Sequence, residues 1–238
     1  MRNLKVVALI AVSALLAVPV QGADPVQFPV IEYPEINIAP AVDYGLGGSF
    51  YLRGSAAMNA WSASDGSICA CVTTFDTAGY GYSAGLGFGY ETGDGLRVDL
   101  TVDYLDNQGL TSTTGHKVNL KSALAFANVY YDFMFDEYGA SAEGGMGVYV
   151  GAGIGLAKNY SEVLDNADNQ VAWGKSLEGA VALMAGVSYD MGDIVADLGY
   201  RGIYMNKVMS QPPAAPPPYI INNNFIHEVR GTVRYRFN

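Results

Sequence analysis

From residue 78 to residue 91 the chain reads AGYGYSAGLGFGYE, and its side chains fall into two sets. Tyr80, Tyr82, Ala84, Leu86, Phe88 and Tyr90 share one parity, while Gly79, Gly81, Ser83, Gly85, Gly87 and Gly89 share the other. Successive side chains of a strand point to opposite faces, so this is a strand with one apolar wall and one nearly bare face. The period of two recurs along the chain. It predicts strands over 48–58, 78–91, 95–105, 118–132, 146–157, 177–190, 194–205 and 226–237. Long breaks (59–77, 106–117, 158–176, 206–225) alternate with shorter ones (92–94, 133–145, 191–193).

Alternating long and short connections are the layout of an up-and-down barrel with extended loops on one rim and tight turns on the other. Polarity of the faces then indicates the solvent. Leu96, Val98, Leu100, Val102 and Tyr104 oppose Arg97, Asp99, Thr101 and Asp103; Val229, Gly231, Val233, Tyr235 and Phe237 oppose Glu228, Arg230, Thr232, Arg234 and Arg236. In a soluble barrel the apolar face turns inward around a ligand, whereas in a membrane barrel it meets lipid. Tyr and Phe gather toward the ends of the apolar faces, as an interfacial girdle does. The expected fold is therefore all-β: an eight-stranded antiparallel up-and-down transmembrane β-barrel.

With the apolar face outward, the inward ionisable residues are Arg97, Asp99, Asp103, Glu178, Asp197, Arg201, Glu228, Arg230, Arg234 and Arg236. Enclosed charges are costly unless paired. Aligning the last two strands at their turn ends predicts the pairs Asp197–Arg234 and Arg201–Glu228, a register slip of two being the alternative. An eight-stranded interior is just wide enough for side chains to fill. The bare glycine row of 79–89, and a second at Gly147, Gly151, Gly153 and Gly155, leave room for large groups from facing strands or permit strand bending.

Composition narrows the partners. The 238 residues carry a formal net charge of −10, which disfavours nucleic acid. Residues 1–22 read as a cleaved export signal: two basic residues, an apolar core of about 13 residues that is too short to span a bilayer, then Val20 and Gly22. Residues 23–45 carry Pro25, Pro29, Pro34 and Pro40 and read as an extended periplasmic arm. Residues 46–238 form the barrel. A monomer in the cell outer membrane is expected, in contact with membrane lipid and lipopolysaccharide.

Other chemistry is thin. Cys69 and Cys71 form a Cys-x-Cys that admits a disulfide, two free thiols or a soft-metal site. His116 and His227 stand near strand ends, with Ser112 before the first and Glu228 after the second. Neither arrangement sets a serine and a carboxylate around one imidazole, so no catalytic site, cofactor or metal is expected. The stretch SQPPAAPPPYIINNNF (210–225) reads as a stiff loop that presents Tyr219, Ile220 and Ile221 to a partner, or as a variable loop without a binding role. Asp65, Asp76, Asp106, Glu162, Asp165 and Asp168 read as a solvated rim.

The segments SFYLRGSAA, FANVYYDF, GVYVGAGIGLA, ADLGYRGIYM and HEVRGTVRYRF, in this order, resemble the small eight-stranded outer-membrane β-barrel proteins, especially the surface antigens of alphaproteobacteria. The resemblance implies an outer-membrane location and a role in envelope integrity, surface antigenicity or adhesion, with host or surface ligands met through the long loops. It also implies recognition of the last strand by the barrel-assembly machinery, through Val233, Tyr235 and Phe237. Asn238 follows Phe237 here, where the family typically ends on its aromatic residue. The function expected is structural and surface-interacting, the alternative being a narrow channel or small-ligand transporter, or less so a lipid-modifying enzyme.

Overall fold

A computed structural model of the chain describes residues 48–68, 71–135, 145–210 and 218–237. The export signal, the proline-rich arm and residues 211–217 of the proline-rich loop lie outside the described residues, as does Cys69.

The strands are β1 (Ser49–Ser62), β2 (Asp65–Ile68), β3 (Cys71–Thr77), β4 (Gly79–Glu91) and β5 (Leu96–Ser112). They continue with β6 (Lys117–Met134), β7 (Gly145–Leu164), β8 (Gln170–Asp190), β9 (Ile194–Met209) and β10 (Tyr219–Phe237). All pairings are antiparallel between neighbours, and β1 closes the ring on β10, with Phe50 opposite Phe237. The short β2 and β3 are continuations rather than extra staves. β2 pairs with β10 in the register β1 already holds, Ser62 opposing Phe225 and Asp65 opposing Asn222. β3 leads into β4 after an irregularity against β5. The barrel therefore has eight staves, the first two of them interrupted. At the turn end the connections are tight: Gly192 at φ 88 lets Met191–Asp193 reverse the chain, with Met191 N–H donating to Ile194 O at 2.9 Å.

The outer wall is apolar. Leu52, Leu86, Phe88, Leu100, Val102, Ile154, Leu156, Val181, Leu183, Leu198, Val229 and Val233 are all exposed, and Phe50, Tyr90, Tyr131, Phe133, Tyr189, Tyr235 and Phe237 ring the turn end. This orientation, oily outside and ionic inside, is the one the alternation predicts.

The strands run further than the alternation predicts, and the expected long loops are corrected. The described parts of 59–77, 106–117, 158–176 and 206–225 are mostly wall, and β7 and β8 reach 20 and 21 residues. A tilted strand needs only about 9–11 residues to cross a bilayer. The extra length carries the same period with opposite polarity. In β7, Val163 points inward while Lys158 and Glu162 point outward; in β10, Tyr219 and Ile221 point inward while Ile220 and Asn223 point outward. The change of face looks like the end of a strand, although the backbone continues. The same correction applies to Tyr219 and Ile221, which are buried inside the barrel and present nothing to a partner; Ile220 alone of the three faces out.

Candidate functional site: a filled barrel interior

The parity of each strand brings its polar residues into the lumen, where they stack in layers. At the turn end Arg236 pairs with Asp190 at 2.6 Å and with Glu91, and Arg234 reaches Glu91 at 3.1 Å. Arg234 also grips Asp197 with two bonds of 3.0 Å. Arg97 holds Asp132 in the same bidentate fashion at 2.9 Å. Glu91, Asp132, Asp190, Arg234 and Arg236 line a vestibule of about 160 Å³ that opens at this end.

Above it, Asp99 accepts from Arg53 at 2.7 Å, from Tyr51 Oη at 3.0 Å and from Asn128 at 2.7 Å. The Arg97 guanidinium lies 4.1 Å from the Tyr130 ring centroid and 5.5 Å from that of Tyr149. Glycines make these aromatic positions possible. A Cβ on Gly89 would overlap the Tyr51 ring, and one on Gly151 would overlap Tyr130. The bare row of the opening sequence is thus a recess, but the large groups that lie over it come from the paired neighbouring strands, Tyr51 opposite Gly89 and Asp103 opposite Gly85, rather than from strands across the lumen.

Next comes a square of charges. Arg201 binds Asp103 at 2.9 Å and Glu228 at 2.6 Å, and Arg230 binds the same two at 2.7 and 2.9 Å. Ser83 donates to Glu228 at 2.9 Å and accepts from Arg230 at 3.1 Å. Each charge here meets two of opposite sign, the condition under which a buried ion can be tolerated.

A neutral polar layer follows. Asn59 donates to Asn107 at 3.2 Å, and Ser122 donates to Asn159 at 2.6 Å. The loop end is closed by an apolar plug that includes Trp61, Ile68, Leu110, Val118, Leu120, Val163, Met205, Val208, Ile221 and Ile226. Trp61 Nε1 is satisfied by Asn224 at 3.1 Å, and Tyr219 and Ser161 hydroxyls meet at 2.6 Å. The void enclosed among Arg53, Arg97, Tyr149, Met184 and Arg201 is about 10 Å³. That is room for about one water molecule, not for a column of them.

Of the sequence candidates, the structure gathers Arg97, Asp99, Asp103, Asp197, Arg201, Glu228, Arg230, Arg234 and Arg236 into this interior. Glu178 sits on the inner face, half-buried, but makes no ion pair among the described residues. Sequence reasoning missed Tyr51, Arg53, Glu91, Asn128, Tyr130, Asp132 and Asp190. Parity alone marks most of them: Tyr51 and Arg53 share the inner face of β1, and Asn128, Tyr130 and Asp132 that of β6. Val233, Tyr235 and Phe237 lie on the outer face, the last two ring to ring at 5.3 Å. Cys71 is exposed, and its pairing with Cys69 falls outside the described residues.

The histidines face away from the lumen. Tyr200 Oη and His227 Nδ1 are 2.6 Å apart on the outer wall, and His116 Nδ1 meets Thr114 Oγ1 at 3.0 Å in the turn after β5. Among the described residues no three His, Cys, Asp or Glu groups gather as metal ligands. The acidic rim is tied locally. Asp168 pairs with Lys117 at 2.6 Å. Asp165 accepts backbone N–H bonds from Asn169 and Ala167, which hold its carboxyl below the usual range.

No family model matches the chain. Uncharacterized proteins of Brucella abortus, Brucella suis and Brucella melitensis are each 31% identical to it, over 66% of this chain and 69% of theirs. Among solved structures, neisserial surface protein A has a TM-score of 0.48 at 22% identity, covering 80% of this chain and 99% of its own. The outer membrane protein OprG of Pseudomonas aeruginosa gives 0.44 at 17%, covering 80% and 97%. The outer membrane protein AlkL, in lipid bilayers, gives 0.43 at 16%, covering 87% and 96%.

Proposed function

We propose that this chain, which belongs to one family with those uncharacterized Brucella proteins, is a monomeric outer-membrane barrel with a structural and surface-display role and no conducting pore. The observation that carries this reading is the filled lumen. Salt-bridged arginines occupy its lower part, an apolar plug closes the loop end, and the void among Arg53, Arg97, Tyr149 and Arg201 is about 10 Å³. A solute crossing such a barrel would have to break several buried ion pairs, each costing about 3–5 kcal/mol when one partner is removed, and then unpack the plug. The apolar outer wall with its aromatic margin supports lipid contact. The surface-antigen or adhesion role rests on the wall above that margin, a strand-built collar with polar side chains such as Lys117, Lys121, Lys158 and Glu162 outside.

Planar-bilayer recording and heated against unheated electrophoresis test this together. The folded protein should show a heat-dependent mobility shift and no stable conducting state. Sustained single-channel steps would replace the plugged reading with a narrow channel, and absence of the shift in a membrane fraction would remove the membrane barrel altogether.

A further inference from the structure

Arginine and lysine divide the barrel between them. Every arginine among the described residues (Arg53, Arg97, Arg201, Arg230, Arg234, Arg236) turns into the lumen. The described lysines, Lys117, Lys121, Lys158, Lys175 and Lys207, sit instead toward the loop end, and three of them converge on one spot of the outer wall.

Two ladder rows place them. One runs Tyr82–Asp106–Lys121–Tyr160–Lys175 across β4 to β8, each residue the cross-strand partner of the next. The adjacent row runs Tyr104–Ala123–Lys158–Leu177. Tyr104, Lys121, Ala123, Lys158, Tyr160 and Lys175 line a shallow depression of about 200 Å³. The small Ala123 side chain leaves the recess between larger neighbours.

Charge balance here is incomplete. Lys121 has Asp106 at 3.8 Å, a loose pair, while Lys158 and Lys175 have no ion pair among the described residues. The three lysines are diagonal neighbours across β6 to β8, and in a chain of net charge −10 they concentrate positive charge at one place on the wall, where an anion can meet all three. The position narrows the choice. On the turn side of the lysines the same strands carry Val102, Ala125, Leu156 and Val181, the start of the apolar wall. A ligand that satisfies both surfaces has a negatively charged head and hydrocarbon chains. Lys121 and Lys175 stand two strands apart, roughly 10 Å at ordinary strand spacing, which is wider than one phosphate. Tyrosines at the border suit a sugar ring edge.

We propose that the Lys121–Lys158–Lys175 patch is a headgroup site for a membrane glycolipid bearing two phosphates, whose acyl chains lie against Leu156 and Leu177. The site rests on the membrane reading above and adds a fixed lipid partner to it.

The test uses the folded full chain in nanodiscs of neutral phosphatidylcholine doped with bis-phosphorylated lipid A, mono-phosphorylated lipid A or phosphatidylglycerol, with retained lipid counted by native mass spectrometry. One bis-phosphorylated molecule should be retained in preference to the other two. The triple variant K121Q/K158Q/K175Q should lose at least tenfold of that retention and K158Q alone a smaller part. K117Q/K207Q, which removes equal charge per site elsewhere on the rim, should retain lipid like the parent. Equal retention by the triple variant, equal loss in K117Q/K207Q, or no preference for two phosphates would overturn the site. The heat-dependent mobility shift separates the two failures: a parent that shifts but shows no lipid preference loses only the site, whereas a parent without the shift loses the membrane reading as well.

Discussion

The two halves of this barrel are built from the same alternating strands with their faces exchanged. In the turn-side half, Leu100 and Val102 face out while Asp99, Thr101 and Asp103 face in. In the loop-side half, Lys117 and Asn119 face out while Val118 and Leu120 face in. The backbone and its pairing are continuous across the change, since β6 and β7 stay in one register from Lys117–Leu164 to Met134–Gly147. On the proposed membrane reading, the solvent outside is what differs. Against hydrocarbon a wall must be apolar, so polar groups go inside and pair. Against water the wall is polar, and burial of apolar area inside stabilises the collar, at about 25 cal/mol per Å². The lower half is held by specific ion pairs, the upper by an ordinary core, and the plug is the upper half's core.

The largest effect should come from unbalancing the charge square. Glu228→Leu leaves Arg201 and Arg230 sharing Asp103 alone, and should destabilise by about 3–5 kcal/mol. The temperature of the electrophoretic transition would fall sharply; an unchanged transition would mean that the square is not enclosed. Slightly smaller is Leu120→Ala in the collar, where a cavity in a packed core costs about 2–5 kcal/mol. Urea unfolding of the folded barrel reads it, and a negligible change would show that the loop-side lumen is wet.

A matched pair locates the boundary between the halves. Leu100→Arg puts a charge on the hydrocarbon-facing wall and should cost about 2–4 kcal/mol near midplane. Val72→Arg, at an 84% exposed position of β3 in the collar, should change stability by only a few tenths of a kcal/mol. Equal costs would refute the exchange of faces. The smallest effect is expected from Lys117→Gln, which removes an exposed pair with Asp168 and should cost less than about 1 kcal/mol, further reduced by salt. A large loss there would show that the rim is ordered by that pair.

Much of the lower half is legible in the residues themselves. A period of two marks the faces, and acids opposite bases within one hairpin can be aligned: Asp197 with Arg234, and Arg201 with Glu228, are joined through β9 and β10 alone. The collar is harder to read because alternation says only that two faces differ, not which is inside. Once Tyr219 and Ile221 take the face that Glu228 and Arg230 hold further along β10, a reader who keeps one polarity starts the strand only at residue 226.

The sequence alone determined the staves, their order and the sorting of side chains into two walls, because period and antiparallel neighbour pairing are local properties of the backbone. Tertiary structure decided which residues meet across the lumen. Arg53 reaches Asp99 from β1 over β4 to β5, and Arg230 reaches Asp103 across 127 positions of chain, a contact that exists only once β1 has closed on β10. It also decided how far the barrel extends, because ring closure keeps every edge hydrogen-bonded whether lipid or water lies outside.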